Sequence, residues 1–255
     1  MPEVESAGVD GEERLAVHAR MLARKPMLRG VFEDMHREMR ALDDAQFGGT
    51  PGLRIELGAG VAPMRQTFPD VLATDVVPGA HLDRVMDAQA MDVPDASIRA
   101  VFAQNTFHHL PEPRRFFAEL MRAVHPGGGA VLIEPYFGPF AAALYPRLFR
   151  TEGYDKAYPS WEVPMTGPMG GANQALSYLV FRRDRAVFER EFPKLRIVAE
   201  QPMTSAVRYL LSGGLNFRQL VPSCAARPLR GLERALGRTA PLWALHHVVV
   251  LRREP

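Results

Sequence analysis

A glycine-rich turn followed by two strand-end carboxylates is the part of this sequence whose residue types and spacing could do chemistry. The segment Glu56-Leu57-Gly58-Ala59-Gly60 lies where a short apolar strand is predicted to turn into a helix. Glycines are needed there because side chains would keep a ligand away from the backbone and from the helix N-terminus. Asp75 comes 15 residues after Gly60, and Asp87 comes 12 residues after Asp75, just before Ala88. A carboxylate at Asp75 can accept both hydroxyl protons of a ribose, and Asp87 is placed to accept from an exocyclic adenine amine.

Two adjacent histidines are predicted to reach the same edge of the fold. The fourth predicted strand ends near Asn105, and His108 and His109 follow it. A neutral imidazole can take a proton from a hydroxyl or polarise a nucleophile, which typically contributes about 10²–10⁴-fold. A strand-end histidine is also often only a hydrogen-bonding partner of a neighbouring loop. A carbon or amine nucleophile needs no base, because alignment of the reacting atoms supplies much of the rate. These alternatives stay open, with His108 the better candidate for facing the reacting group.

Alternating strand and helix signals predict the elements that must position these residues. A helix is predicted after Pro113, because its apolar residues recur at spacings of one, three and four. Strands that alternate with helices indicate a doubly wound, mostly parallel α/β sheet, here of seven strands, with ligands bound at the strand C-termini. The seven predicted strands are Leu53–Leu57, Val71–Asp75, Arg84–Asp87, Ile98–Gln104, Ala130–Ile133, Leu195–Glu200 and Val248–Arg252.

The chain is predicted to have two parts. Residues 1–50 form a disordered tip, over about residues 1–11, and a helical cap of two helices that break near Lys25-Pro26, since proline disfavours helix for the residue before it. Residues 51–255 form the core. An insertion at about 136–182 interrupts the strand–helix alternation, and it is rich in aromatic residues and prolines.

The motifs together resemble the class I S-adenosylmethionine-dependent methyltransferases, in the bacterial small-molecule, type 11-like branch whose fourth strand ends in His-His-Leu-Pro. The match runs from about Leu53 to Pro135. The resemblance implies S-adenosylmethionine as the cofactor and S-adenosylhomocysteine as the product. It also implies that the N-terminal helices close the cofactor pocket, with a dimer interface as the alternative for them. The cofactor-binding residues it implies are Glu56, Gly58, Ala59, Gly60, Asp75, Val76, Asp87, Ala88 and Asn105.

The aromatic segment 136–161 is predicted to be a lid over the substrate. Loops of this length without regular structure are uncommon unless they are functional, and excluding water suits an electrophilic sulfonium. Packing of these aromatics is the equally weighted alternative. The residues expected to face the substrate are Tyr136, Tyr154, Tyr158 and Trp161.

Composition excludes several classes of function. The chain has 255 residues, a formal net charge of +2 and one cysteine, Cys224. These values argue against a disulfide framework, a cysteine metal site and a nucleic-acid partner. No uninterrupted apolar stretch is long enough to span a membrane. The N-terminus has no signal-peptide pattern, which favours a cytoplasmic location. The histidines lack metal-ligand spacing, so no metal is expected. A peripheral membrane contact through the arginines of residues 227–238 stays open, as does the choice between monomer and homodimer.

The predicted function is methyl transfer to an O, N or C nucleophile of a small molecule, such as a natural product, sugar or lipid-like compound. Nicotinamide or flavin binding is disfavoured because Pro63 stands at the third glycine position of a dinucleotide motif and Glu56 would repel a pyrophosphate. Two alternatives from other classes remain. One is an enzyme that binds S-adenosylmethionine and catalyses a non-methylating step such as a cyclisation. The other is an inactive binding protein of the same fold.

Overall fold

The strands and helices follow the predicted order closely. The computed structural model describes residues 12–61, 64–148, 152–164 and 172–255. The predicted disordered tip therefore lies outside the described residues. The strands are β1 (Leu53–Leu57), β2 (Val71–Asp75), β3 (Arg84–Val85), β4 (Ile98–Gln104), β5 (Val124–Pro135), β6 (Leu195–Pro202) and β7 (His246–Arg253). The helices are α1 (Glu12–Ala23), α2 (Pro26–Phe47), α3 (Pro113–Ala123), α4 (Pro139–Leu148), α5 (Leu176–Tyr178), α6 (Arg185–Glu191), α7 (Ala206–Ser212), α8 (Ala226–Ala235) and α9 (Ala240–Trp243).

One sheet organises the described residues. It has seven strands in the order β3-β2-β1-β4-β5-β7-β6. The pairs from β3 to β5 are parallel, whereas β7 is antiparallel to both β5 and β6. The chain order reverses between β1 and β4, and such a switch point opens a crevice at the carboxyl ends of the strands. The predicted fold class, a mostly parallel seven-stranded sheet, is confirmed.

Helices cover both faces of the sheet because the central strands are apolar on both sides. In β4, Val101 belongs to one buried cluster and Phe102 belongs to the other. Phe117 of α3 packs on the first face, and Met35 of α2 packs on the second. Strands buried on both faces of a parallel sheet are expected to be continuously apolar, as β4 is from Ala100 to Ala103.

Helix α2 is attached to the sheet by a buried carboxylate as well as by apolar packing. Asp43 is fully buried, and its two oxygens accept from Arg54 Nε of β1 and Arg99 Nε of β4, each at 2.7 Å. The break between α1 and α2 falls at Arg24 and Lys25, with Pro26 at the first position of α2. The predicted break near Lys25-Pro26 is confirmed.

Two predicted strands differ from the observed ones. Strand β3 is an exposed edge strand of only two residues, and Asp87 instead forms an isolated antiparallel bridge with Ala90. Strand β5 is much longer than predicted, because Val124 pairs with Ile98 before the glycine turn and Gly129 pairs with Ala100 after it. The turn is therefore an irregularity inside a strand and not the boundary in front of one.

The aromatic segment is not irregular throughout, which corrects the prediction of an unstructured lid. It begins with the ten-residue helix α4. Pro139 stands at the first position, where its missing N–H costs no hydrogen bond, and Ala141 and Tyr145 are buried one helical turn apart. The high density of prolines and aromatics concealed this periodicity.

We expect Asp43→Ala to lower the free energy of unfolding by about 3 kcal/mol, because it leaves two partly buried guanidinium groups without the carboxylate that they share. Urea unfolding followed by far-UV circular dichroism measures this value. The matched control is Asp44→Ala, since Asp44 is 57% exposed beside the same arginines; it should change stability by less than about 1 kcal/mol. Equal losses in the two variants would contradict the role assigned to Asp43.

Candidate active site

A cavity of about 530 Å³ lies at the carboxyl ends of β1, β2 and β4. Its position is the crevice that the reversal of strand order creates. All the predicted cofactor-binding residues and both predicted catalytic histidines line it: Glu56, Gly58, Ala59, Gly60, Asp75, Val76, Asp87, Ala88, Asn105, His108 and His109. The fold therefore brings together residues that are more than 50 positions apart in the sequence.

The turn after β1 requires glycine at Gly58. Its φ is +65°, and a Cβ there would lie 2.3 Å from Thr106 Oγ1. Ala59 N–H donates to the Thr74 carbonyl at 3.0 Å, and Gly60 N–H donates to Asp75 Oδ2 at 3.0 Å. The turn therefore packs against the loop after β4 and is hydrogen-bonded to the end of β2. Its three residues Gly58, Ala59 and Gly60 also line the cavity.

The two strand-end aspartates hold their own loops while presenting carboxylates to the cavity. Asp75 Oδ1 accepts from Val77 N–H at 2.9 Å. Asp87 Oδ1 accepts from Gln89 N–H at 2.8 Å. A carboxylate oxygen has two lone pairs, so each aspartate retains acceptor capacity for a ligand.

Glu56 is a buried carboxyl at the base of the glycine turn. It is 4% exposed, and its Oε2 accepts from Met64 N–H at 2.6 Å. Burial raises the pKa of Glu56 to about 8, and the nearby charge of Asp75 adds to this effect. A cation bound beside Glu56 would favour the ionised carboxylate and would therefore lower the pKa of Glu56 from this raised value.

His108 is held by a second buried glutamate, Glu134, at the end of β5. The Glu134 side chain accepts from the backbone N–H groups of Thr106 and Phe107 at 3.0 and 2.9 Å. Its Oε2 lies 2.6 Å from Nδ1 of His108. The other ring nitrogen, Nε2, lies 3.6 Å from Oε2 of Glu152.

The sequence suggests His108 as a neutral imidazole that acts as a base, but its surroundings favour the protonated ring. Burial lowers the pKa of His108, but the charges of Glu134 and Glu152 and their hydrogen bonds outweigh it and raise the value to about 9. The ring is therefore a cation at neutral pH. Sequence reasoning missed this because neither glutamate lies near His108 in the chain.

Other residues that were not predicted from the sequence also line the cavity. Leu15, His18 and Phe32 reach it from the helical cap. Further aromatic and polar lining residues come from α4, α7 and β7 and from loops: Tyr145, Glu152, Gln174, Tyr209, Leu215, Asn216 and His246. Burial raises the pKa of Tyr209 to about 12 and lowers that of His246 to about 4, so both side chains are neutral. These residues carry no spacing signal, because they come from separate elements.

The four aromatics predicted to face the substrate do not line this cavity. Trp161 is 2% exposed, its ring lies edge-on to Phe117, and its Nε1 donates to Asp184 at 2.9 Å. Tyr158 packs on the same core cluster. Tyr136 contacts Phe137 and His247, and Tyr154 stacks on Tyr145 from outside. These four side chains pack against other parts of the protein, and the tyrosines that line the cavity are Tyr145 and Tyr209.

Comparison with known proteins agrees with this geometry. Residues 57–132 match a family model described as a methyltransferase domain. These residues therefore form a methyltransferase domain. The predicted enzyme class, an S-adenosylmethionine-dependent methyltransferase, and the predicted cofactor are confirmed. The glycine turn, where a Cβ would clash, and the strand-end carboxylates fit that cofactor. No curated protein sequence matches the chain.

Solved structures resemble the methyltransferase at low sequence identity. Geranyl diphosphate C-methyltransferase from Streptomyces coelicolor A3(2) is 14% identical with a TM-score of 0.46, and the match covers 88% of this chain and 82% of that one. The 4+2 cyclase SpnF is 14% identical with a TM-score of 0.42, covering 86% and 80%. Phosphoethanolamine N-methyltransferase 2 from Haemonchus contortus is 11% identical with a TM-score of 0.46, covering 86% and 52%. The substrates of these three proteins are not carried over to this chain.

In the part of the methyltransferase that the structure describes, no helix combines the length and the apolar character needed to cross a membrane.

We expect Asp75→Ala to weaken S-adenosylmethionine binding by about 10- to 100-fold, because it removes a charged acceptor from the cavity and frees the Gly60 amide. Isothermal titration calorimetry measures the Kd. Asp95→Ala is the control, since the Asp95 side chain is 78% exposed and pairs only with Arg122 among the described ion pairs. Wild-type affinity in Asp75→Ala would exclude the proposed binding mode.

Binding of S-adenosylmethionine should release close to one proton at pH 6.5. The Glu56 carboxyl, with a pKa of about 8, is protonated in the free protein at that pH, and the cofactor ammonium would favour its ionised form. Affinity should therefore rise with pH up to about 8. Calorimetry in buffers of different ionisation enthalpy counts the protons, and Glu56→Gln should abolish the release. An unchanged proton count in Glu56→Gln would show that another group titrates.

Proposed function

We propose that this methyltransferase transfers a methyl group from S-adenosylmethionine to an O, N or C nucleophile of a small molecule. The observation that carries the proposal is one continuous cavity with two chemically different halves. One half consists of the glycine turn and the strand-end carboxylates. The other half is walled by aromatic and neutral polar side chains, including Tyr145, Tyr209 and His246.

The first half suits the cofactor. Gly58 and Gly60 present backbone to its amino-acid part, and Glu56 lies where an ammonium group would favour its ionised form. Asp75, beside Val76, is placed to accept from ribose hydroxyls. Asp87 with the Ala88 amide is placed to recognise adenine. The Asn105 backbone lines the methionine side of the same wall, in a left-handed conformation with a φ of 51°.

The second half suits an acceptor of modest size. The aromatic rings of Tyr145 and Tyr209 offer apolar surface to an acceptor, and the polar side chains beside them can fix its orientation. Leu15, His18 and Phe32 of the helical cap also line the cavity. Exclusion of water protects a reactive sulfonium from side reactions. His108 and His109 line the same cavity, and we propose that they face the nucleophile.

Methyl transfer requires the nucleophile of the acceptor, the methyl carbon and the sulfonium sulfur to lie in line. The cofactor supplies a methyl group on a sulfonium, and its transfer leaves S-adenosylhomocysteine. The protein contributes by holding the nucleophile near the methyl carbon, which converts a bimolecular step into an effectively unimolecular one. Natural products, sugars and lipid-like compounds with a suitable nucleophile are the proposed acceptors.

The cofactor assignment is tested by thermal shift with S-adenosylmethionine, S-adenosylhomocysteine and NAD. A ligand at 100 times its Kd adds roughly 2.7 kcal/mol, which should raise the Tm by about 5 °C or more for a domain of this size. We expect a shift with both S-adenosyl compounds and none with NAD. A shift with NAD alone would overturn the assignment.

The reaction class is tested by product analysis with a panel of hydroxyl, amine and activated-carbon acceptors. Formation of S-adenosylhomocysteine in equal amount to a methylated product supports methyl transfer. Conversion of an acceptor without S-adenosylhomocysteine would instead identify a non-methylating enzyme. Cofactor binding without turnover of any acceptor would favour a binding protein.

A further inference from the structure

Three side chains that line the cavity, those of His108, His109 and Glu152, form a cluster of potential metal ligands. One ligand atom each from His108, His109 and Glu152 lies within 4.8 Å of the others. The two imidazole rings are 4.2 Å apart between centroids and tilted by 39°. All three residues line the cavity. The histidines stand on one 3₁₀ turn, Phe107–His109, and Glu152 comes from beyond α4.

The orientation of His108 is the one that metal-binding histidines adopt. Its Nδ1 lies 2.6 Å from the Glu134 carboxylate, and its Nε2 is turned toward Glu152. A carboxylate that accepts from one ring N–H fixes the orientation of the ring, and an ion bound at Nε2 would replace the proton that this nitrogen carries in the metal-free protein. Glu134 is itself fixed by the backbone N–H groups of Thr106, Phe107 and His108, so the arrangement is formed before any ion arrives.

The local charge also favours a cation. The Glu134 and Glu152 side chains are 0% and 19% exposed, and both lie against His108. In the metal-free protein the protonated His108 ring pairs with both carboxylates. An ion bound among His108, His109 and Glu152 in place of the Nε2 proton would keep both carboxylates paired with positive charge.

We propose that His108, His109 and Glu152 bind a divalent transition-metal ion that positions a hydroxyl group of the acceptor. Two imidazoles and one carboxylate favour Zn²⁺, Co²⁺, Mn²⁺ or Fe²⁺ over Mg²⁺ and Ca²⁺, which prefer all-oxygen sites. Three protein ligands leave a coordination position open, as in catalytic sites. The inference rests on the proposed function and narrows it to oxygen methylation.

The step balances without a change in oxidation state. The acceptor hydroxyl binds at the open position, where the ion lowers its pKa, and its proton leaves to water. The oxygen then attacks the methyl carbon. An O–C bond forms, the C–S bond breaks, and the electron pair of that bond stays on sulfur. The products are a methyl ether and S-adenosylhomocysteine.

Metal binding is tested first, without activity. Protein stripped with a chelator is dialysed against Co²⁺, and bound metal is measured by elemental analysis and by visible d–d absorption. We expect one Co²⁺ per chain. His109→Ala and Glu152→Gln should each weaken Co²⁺ binding by at least tenfold, and the absorption should change in both.

Matched control variants are available in the same chain. His125→Ala removes a histidine whose Nδ1 contacts the Pro126 carbonyl, and Glu162→Gln removes a carboxylate paired with Arg114. Neither residue lines the cavity, so both variants should bind Co²⁺ as the wild type does. Stripped wild-type protein that takes up no Co²⁺ would overturn the proposal, and so would His109→Ala and Glu152→Gln with unchanged affinity. His108 and Glu152 would then form a simple ion pair.

The role of the ion in methyl transfer is tested separately from the binding of S-adenosylmethionine. Metal-stripped protein should still show the thermal shift with S-adenosylmethionine, because the ligands of the ion do not include the glycine turn or Asp75. Loss of methyl transfer to a hydroxyl acceptor on stripping, with recovery on adding Zn²⁺ or Co²⁺, supports the role. Equal turnover by the stripped protein would overturn the role. Co²⁺ binding with no cofactor shift at all would instead overturn the proposed function and leave the metal site standing.

Discussion

The buried carboxylate of Glu134 is the interaction on which the geometry of the site depends. It lies at the end of β5, fully shielded from water, and accepts from backbone N–H groups of the loop after β4 as well as facing Nδ1 of His108. A buried carboxylate without such donors would be strongly destabilising. The same bonds fix the loop that carries Asn105 and both histidines. One side chain therefore couples the sheet, the wall of the cavity and the orientation of the candidate catalytic residues.

A second buried polar group, Lys25, joins the helical cap to another part of the cavity wall. Its Nζ donates to the carbonyls of Gly214 and Phe217, at 2.6 and 2.5 Å, from the bend between α1 and α2. Burial lowers the pKa of Lys25. Leu215 and Asn216 lie between those two carbonyls and line the cavity. The bend thus joins the cap to a loop whose residues line the cavity, although the bonded residues are 189 and 192 positions apart in the sequence.

The fold and the cofactor half could largely be predicted from the sequence. Strand β1, the glycine turn and Asp75 follow local rules: apolar runs, glycine where a Cβ would clash, and polar residues at strand ends. The apolar face of α2 also follows from spacing alone. The predicted bounds were wrong at β3 and β5, because pairing with neighbouring strands and not the local run of residues decides where a strand ends. Helix α4 was missed because its prolines obscured a helical repeat.

The sequence by itself determined the order of elements, the edge of the sheet at which chemistry takes place and the residues suited to a nucleoside cofactor, because each of these depends on neighbours a few positions apart. Only the tertiary structure decided which aromatics reach the cavity, placing Tyr145 and Tyr209 there and Trp161 in the core. It also decided the charge of His108, since Glu134 and Glu152 lie 26 and 44 positions from it. The physical reason is that burial and pairwise charge interactions depend on distance in space.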